Sequence, residues 1–409
     1  MRRRSFVVVA LVVSLGAACG ADAGDLAGGD DETTNSAVPA DLTATTLDVA
    51  DAPDGLAFYQ PPEPLPAAAP GELIWARAGR TVRGTTEHLV LYHSTAVDGR
   101  DIAVSGAVYV PAGPPPDGGW PVYSWGHGTT GLGDGCAPSR GRADETTAWF
   151  DELVERGFVV AATDYEGLGT PGDHPYVVGE SEGRSMLDAV RAVKALLGSA
   201  ASDRVVLGGH SQGGGAALFA AEIVADYAPE LDVLGTVAGA PAAELATLAT
   251  ALANGPFAAF AAMAASGFAA AYPDLPLDAL VTPEVIAAIA DIRPLCVGEI
   301  VARFLGPDAA SVLVADPAAV EPWASRLEAN SPGNRPADSP VLVFHGGADE
   351  QIPPTISEAM LARYCRYERP VERRVYEGEG HVGVLAAARD DALDWIDDRL
   401  ANKDAPTSC

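Results

Sequence analysis

Short apolar runs, spaced by longer amphipathic stretches, organise most of this chain. Residues 85–95 and 102–110 are rich in β-branched and apolar side chains and flank Val97, Asp98, Gly99 and Arg100, which predicts an antiparallel hairpin. After a Pro/Gly loop, apolar runs recur at 122–125, 158–163, 205–208, 233–237, 341–344 and 374–376. Helical periodicity fills the intervals near 143–156, 181–198, 213–227, 355–365 and 386–400. This alternation predicts the α/β class: a mostly parallel sheet flanked by helices, with the hairpin as its antiparallel edge. From 242 to 336 the rhythm stops, and an Ala-rich helical pattern runs without a convincing strand. It reads as a helical cap inserted between two sheet strands. Phe257, Phe260, Met263, Gly267 and Phe268 lie on it at near-helical spacing, either lining an apolar tunnel or forming the cap's own core. Asn254, Gly255 and Pro256 argue against a membrane span there.

The N-terminal residues follow a different logic. Arg2, Arg3 and Arg4 precede an apolar run of 13 residues from Phe6 to Ala18. The run is too short to cross a bilayer and has the size of a secretory signal core. It ends Leu15, Gly16, Ala17, Ala18, Cys19, so Cys19 is a candidate for lipidation after cleavage. Leu15 stands one position further from the cysteine than is usual for such a site, and ordinary cleavage with release of a soluble protein is the other reading. Between Gly20 and Asp54 there are nine acidic residues and no Lys or Arg, too little apolar surface to offset the entropy of ordering. Pro61 to Pro70 add a stiffer entry. The expected organisation is a signal at 1–18, a lipidated, acidic, flexible tether at 19–69, a core in two parts at 70–241 and 337–409, and a cap or lid at 242–336.

Composition narrows the partners. With 409 residues, 48% hydrophobic and 20% charged, the chain can bury a large core. Its 26 basic residues face 56 acidic ones, a net charge of −30, so nucleic acids and other polyphosphates are excluded as partners. Anionic membrane surfaces would repel the folded body, leaving the possible lipid anchor as the expected membrane contact. Setting Cys19 aside, Cys136, Cys296, Cys365 and Cys409 form an even set, as expected in an oxidising compartment.

The strongest chemical signal is Gly209-His210-Ser211-Gln212-Gly213, directly after a predicted strand and before a predicted helix. Acyl transfer needs a serine on a sharp strand-to-helix turn, where side chains at the flanking glycines would clash with the neighbouring strand and helix. The helix N-terminus adds a positive dipole end. A hydroxyl needs a base, and the base an orienting acid, in the chain order Ser, acid, His. Only His345 and His381 follow Ser211, and His345 closes a strand, so His381 is the expected base. Asp349, just past the run at 341–344, is the expected acid, whereas Asp316 and Asp338 lack a preceding strand. An oxyanion hole needs two backbone N–H donors. Gln212 is one, and Thr129, after the run at 122–125, is the other, with Gly128 expected to allow close backbone approach. His127 and His210 are expected to shape their loops by hydrogen bonding. No metal site is expected, since there is no His-Glu-x-x-His and the cysteines lie far apart, and no cofactor is called for.

Further motifs widen this pattern: Ser124-Trp125-Gly126-His127-Gly128-Thr129, Cys136-Ala137-Pro138-Ser139, Thr163-Asp164-Tyr165-Glu166-Gly167-Leu168-Gly169, His345-Gly346-Gly347-Ala348-Asp349 and Gly378-Glu379-Gly380-His381. Together with the elbow they resemble the secretory lipase family of α/β-hydrolases over roughly residues 70–400. The resemblance implies an α/β-hydrolase fold with an inserted helical cap and hydrolysis of carboxylic esters, often acylglycerols. It also implies disulfides Cys136–Cys296 and Cys365–Cys409. Asp164 and Glu166 are read as loop-forming rather than catalytic. The expected function is a serine esterase or lipase, exported to the cell envelope or secreted, acting on a small-molecule or lipid ester through an acyl-enzyme. A short-chain carboxylesterase, a serine peptidase and a non-catalytic binding protein on the same scaffold are the alternatives.

Overall fold

The computed structural model describes residues 52–82, 85–141, 147–305 and 311–409. The expected signal, the lipidation site at Cys19 and the acidic stretch up to Asp51 lie outside them. The strands are β1 (Leu73–Val82), β2 (Thr85–Thr95), β3 (Asp101–Val110), β4 (Trp120–Gly126), β5 (Val159–Thr163), β6 (Ala201–His210), β7 (Asp232–Gly239), β8 (Val341–Gly346) and β9 (Val371–Tyr376). They form one sheet in the order β1-β2-β3-β5-β4-β6-β7-β8-β9. The first three strands and the β3–β5 pair are antiparallel, and every pair from β5 to β9 is parallel. The α/β-hydrolase class expected from the sequence is the observed one.

The parallel strands are buried on both faces, which is why they read as continuous apolar runs. Successive residues of β8 alternate between two cores: Val341 and Val343 pack on one side, Leu342 and Phe344 on the other. Helices α2 (Gly179–Leu197), α3 (Gln212–Tyr227) and α9 (Pro354–Tyr364) cover the first side. Helices α1 (Thr147–Glu155) and α10 (Gly383–Leu400) cover the second, where Trp149, Phe150 and Trp395 meet Tyr123 and Trp125. Between β7 and β8 lie five further helices among the described residues: α4 (Leu245–Leu252), α5 (Ala258–Ala271), α6 (Pro283–Ile292), α7 (Val297–Phe304) and α8 (Trp323–Ala329).

The connection leaving β4 runs to β5 on one flank, whereas the connection leaving β6 runs to β7 on the other. Adjacent carboxyl ends at β4 and β6 therefore send their chains apart, opening a crevice of the kind in which α/β sheets bind ligands.

Three features differ from the sequence reading. The antiparallel edge is β1, not the β2–β3 hairpin. Arginines at 77 and 80, Gly79 and two register shifts against β2 break the period that would have revealed that strand. Residues 52–69 do not all belong to a flexible tether. Gly55–Tyr59 form a helical turn, Phe58 and Tyr59 are buried against Leu91 and Ala103, and the Trp75 indole donates to the Phe58 carbonyl. Two aromatic side chains supply the buried area that the acidic residues before them lack. The third concerns Gly128 and is taken up with the site.

Both expected disulfides are present. Cys136–Cys296 joins the loop after β4 to the start of α7. Cys365–Cys409 draws the C-terminus along β9, where the Ser408 N–H donates to the Val371 carbonyl and the Arg373 N–H to the Ser408 hydroxyl. The tail so placed occupies part of an otherwise open sheet edge.

Candidate active site

Ser211 stands between β6 and α3 at φ 60° and ψ −119°, a conformation non-glycine residues rarely adopt. Such a residue costs on the order of 1–3 kcal/mol, and neighbouring contacts must hold it. The Ser211 N–H donates to the Gly239 carbonyl at 2.8 Å, and the Ser211 carbonyl accepts from Ala242 at 3.0 Å and Gly215 at 3.1 Å. The glycine requirement is steric: a Cβ on Gly213 would lie 1.8 Å from the Gly126 carbonyl oxygen of β4. Gly128 behaves differently. A Cβ there would meet nothing nearer than 3.6 Å, so the close approach expected of it is not needed.

His381, in the loop after β9, lies 2.9 Å from the Ser211 hydroxyl through Nε2 and 2.7 Å from Asp349 Oδ2 through Nδ1. The carboxylate is an acceptor only, so Nδ1 carries the proton and Nε2 is left as a base facing the hydroxyl. Asp349 and His381 are both buried, and Ser211 is partly exposed. Asp349 Oδ1 accepts the N–H groups of Gln351 at 2.9 Å and Ile352 at 2.8 Å. Burial alone would raise the Asp349 pKa. Contacts with His345 and His381 and the Ile352 N–H outweigh burial and hold it well below the usual carboxylate range. His345, read from the sequence as a strand end, is fully buried in β8, donates from Nε2 to the Ile352 carbonyl at 2.9 Å and lies 3.2 Å from Asp349 Oδ2. The three residues expected in series from the sequence are thus brought within hydrogen-bonding distance of one another.

The Gln212 N–H opens α3 in its first turn, where a helix offers no internal acceptor. Thr129 lies in the loop after β4, its hydroxyl 2.8 Å from the Tyr176 hydroxyl. His127 Nδ1 is 2.6 Å from the Gly128 carbonyl and Nε2 3.2 Å from the Asp164 carbonyl. His210 donates from Nε2 to the His381 carbonyl at 2.8 Å, and burial pushes its pKa down to about 3, so it stays neutral beside the base. Asp164 is buried and accepts from Ser105 and Ser139, and Glu166 accepts from Ser181. Both link loops to one another and neither touches Ser211 in any of these contacts.

A pocket opens beside Ser211 and Gln212, its empty space, mouth included, about 580 Å3. Leu245, Leu248, Leu252, Phe260, Ala261 and Ala264 from α4 and α5 form one apolar side of its wall. The aromatic and Met cluster on α5 divides: Phe260 lines the pocket, while Met263 and Phe268 are fully buried in the core. Glu182 and His174 hold the Gln212 side chain, and Tyr176, on the pocket wall, meets Thr129. No motif or spacing singles them out in the sequence, because their relation to the site is made only by tertiary contacts.

The profile of the secretory lipase family matches residues 144–408. Curated relatives include lipase A of Moesziomyces aphidis, 28% identical over 53% of this chain and 49% of its own length. A secreted triacylglycerol lipase of Malassezia globosa is 28% identical over 71% of this chain and 64% of its own. A protein of Mycobacterium tuberculosis named a probable inactive lipase is 29% identical over 46% of this chain and 45% of its own. The chain thus spans about half to just under two thirds of the length of these three relatives. Among solved structures, Candida antarctica lipase A superposes with a TM-score of 0.74 at 22% identity, covering 90% of this chain and 89% of that one. The rice cell wall degrading esterase LipA of Xanthomonas oryzae gives 0.67 at 20% identity, covering 82% and 100%. At these identities the likeness to solved structures is one of fold.

Proposed function

Because the chain belongs to the secretory lipase family, we propose that it is an exported serine hydrolase that cleaves carboxylic esters, with an acyl chain as the part it recognises. The observation that carries this reading is the relay Asp349–His381–Ser211, with separations of 2.7 and 2.9 Å at the mouth of an apolar pocket. Ser211 attacks the ester carbonyl as His381 Nε2 takes its proton, and Asp349 stabilises the imidazolium that forms. The N–H groups of Gln212 and Thr129 receive the developing oxyanion. Collapse expels the alcohol, which takes the proton from His381, and leaves an acyl group on Ser211. Water, deprotonated by His381, then releases the carboxylic acid and restores the serine.

Lipid esters are favoured over short-chain ones by the Leu, Ala and Phe wall that α4 and α5 set beside Ser211. The segment 242–336 acts as a cap over the sheet, and residues 1–18 direct export.

The test is a fluorophosphonate probe and a ladder of p-nitrophenyl esters from acetate to palmitate, applied to the protein and to its Ser211→Ala variant. The expected result is stoichiometric labelling of Ser211 and hydrolysis that the variant loses by roughly 10³-fold or more. Hydrolysis retained by the variant would overturn the nucleophile assignment. An unlabelled Ser211 with no ester cleaved would return the chain to a non-catalytic role, and a peak at acetate with none beyond butyrate would make it a short-chain esterase.

A further inference from the structure

Behind the two proposed oxyanion donors runs a single stretch of chain, residues 174–182, and it touches both. The Gln212 side-chain amide donates to Glu182 Oε1 at 2.7 Å and lies 3.1 Å from His174 Nε2. His174 Nδ1 is 2.7 Å from the Glu166 carbonyl, which can only accept, so Nδ1 holds the ring proton and Nε2 is a bare acceptor. Burial pushes His174 down to about 3 and so preserves that neutral tautomer. Both amide protons of Gln212 are therefore taken, one by each neighbour. Glu182 Oε1 also accepts the Val177 N–H at 2.9 Å, at a β-branched residue held at φ 53°. A valine in that region is a strained position that surrounding contacts must enforce. On the other side of the hole, the Tyr176 hydroxyl lies 2.8 Å from the Thr129 hydroxyl. Helix α5 presses on the same stretch, for a Cβ on Gly267 would lie 2.4 Å from the Tyr176 nitrogen.

The charge state of Glu182 suits this place. Burial pushes it up to about 8 against the hydrogen bonds from Gln212 and Val177 that would lower it, so at neutral pH it is an uncharged carboxyl. A carboxylate there would set a negative charge behind the group that must receive an oxyanion.

Resting on the reading of Ser211 as nucleophile, we propose that Glu182, together with His174, is a positioning residue of the oxyanion hole: it grips the Gln212 side chain and so fixes the direction of the Gln212 N–H, while Tyr176 does the same for Thr129. Gln212 is thereby a two-ended residue, its backbone facing the reaction and its side chain anchored in the frame. Loss of the grip leaves the Leu and Phe wall from α4 and α5, which binds the acyl chain, in place and weakens chiefly contacts made in the transition state.

The experiment compares Glu182→Ala, Glu182→Gln and Tyr176→Phe with the full-length protein, using p-nitrophenyl butyrate for kcat and KM and hexylboronic acid as a tetrahedral adduct of Ser211. Glu182→Ala should lower kcat roughly 10- to 100-fold with KM within about twofold, and weaken the boronate by the same factor. Glu182→Gln keeps an acceptor oxygen and a neutral side chain, and should return kcat to within about threefold of the parent. Tyr176→Phe removes one hydroxyl and should give a smaller loss, again in kcat and boronate affinity together, which keeps the test decisive if Glu182→Ala fails to fold. An unchanged kcat in Glu182→Ala, a loss confined to KM, or a kcat loss without a matching boronate loss would overturn the positioning role. An unvaried protein that neither cleaves esters nor labels at Ser211 would instead overturn the hydrolase reading itself and take this one with it.

Discussion

Replacing Ala264, on the pocket wall, by Phe should shorten the range of acyl chains hydrolysed without disturbing the relay. Ala264 belongs to α5 and faces the pocket beside Leu248, Leu252 and Phe260. Ala264 is partly buried on the pocket side of the core, so a ring added there can extend into the pocket at a smaller overpacking cost than at a fully buried site. Each methylene that an acyl chain buries against such a wall contributes about 0.8 kcal/mol, or roughly fourfold in kcat/KM while the pocket lasts. A ring that displaces about three methylenes removes about 2.4 kcal/mol, which is roughly 60-fold. The parent should therefore climb from acetate toward medium chains on the p-nitrophenyl ladder. Ala264→Phe should follow it at acetate and butyrate within about twofold and fall roughly 60-fold behind at octanoate and beyond. Fluorophosphonate titration of active sites corrects for any misfolded fraction. An equal loss at every chain length, or an unchanged profile, would refute the assignment of this pocket to the acyl chain.

Stability should depend on pH in a way set by buried acids. Burial raises Glu182, Glu222 and Asp188 to about 8, 7 and 6 from ordinary values of 4.5, 4.5 and 3.8, so the folded state binds more protons than the unfolded chain across those windows. Buried His174 and His210, lowered from 6.5 to about 3, act in the opposite sense at lower pH. Between about pH 7.5 and 8.5, where unfolded histidines are already neutral, only the first effect operates among these groups, and the melting temperature should fall as pH rises; a flat or rising curve there would contradict it. Opening the Cys136–Cys296 bridge with paired serine substitutions frees a loop of 160 residues. The chain-entropy argument assigns that closure about 5 kcal/mol as an upper figure, or a fall of roughly 5 °C in melting temperature. Dithiothreitol on the parent opens the Cys365–Cys409 bridge as well and should lower the melting temperature further, and a double variant as stable as the parent would refute the argument.

Much of the sheet was legible because parallel strands buried on both faces leave unbroken apolar runs, as in Val205, Val206 and Leu207. The elbow was legible for a steric reason that acts locally: Gly213 abuts Gly126, and only glycine fits. Strand β1 was hidden because its arginines, a glycine and two register shifts obscure any period of two. The frame of residues 174–182 was hidden for a deeper reason. His174, Tyr176 and Glu182 take their meaning from Gln212 and Thr129, which lie 38, 47 and 30 residues away along the chain. The early start of the folded body was missed because Phe58 and Tyr59 sit amid acidic and proline-rich residues, where composition outvotes two aromatic side chains.

The acidity of the chain bears on the last step of the proposed reaction rather than the first. An ester is neutral, and a chain with 56 acidic and 26 basic residues neither attracts nor repels it. Hydrolysis converts it to a carboxylic acid that ionises at neutral pH. Among the described residues no Lys or Arg lines the pocket, and its walls are largely Leu, Ala and Phe, so the new carboxylate meets no cationic partner there and loses hydration if it stays. Asp349, held ionised and placed behind His381, adds repulsion at short range. The methylenes that bound the substrate still bind the product, so the difference between the two lies at the headgroup alone. That difference weakens product relative to substrate without weakening the grip on the acyl chain, which allows one apolar wall both to select long chains and to release them.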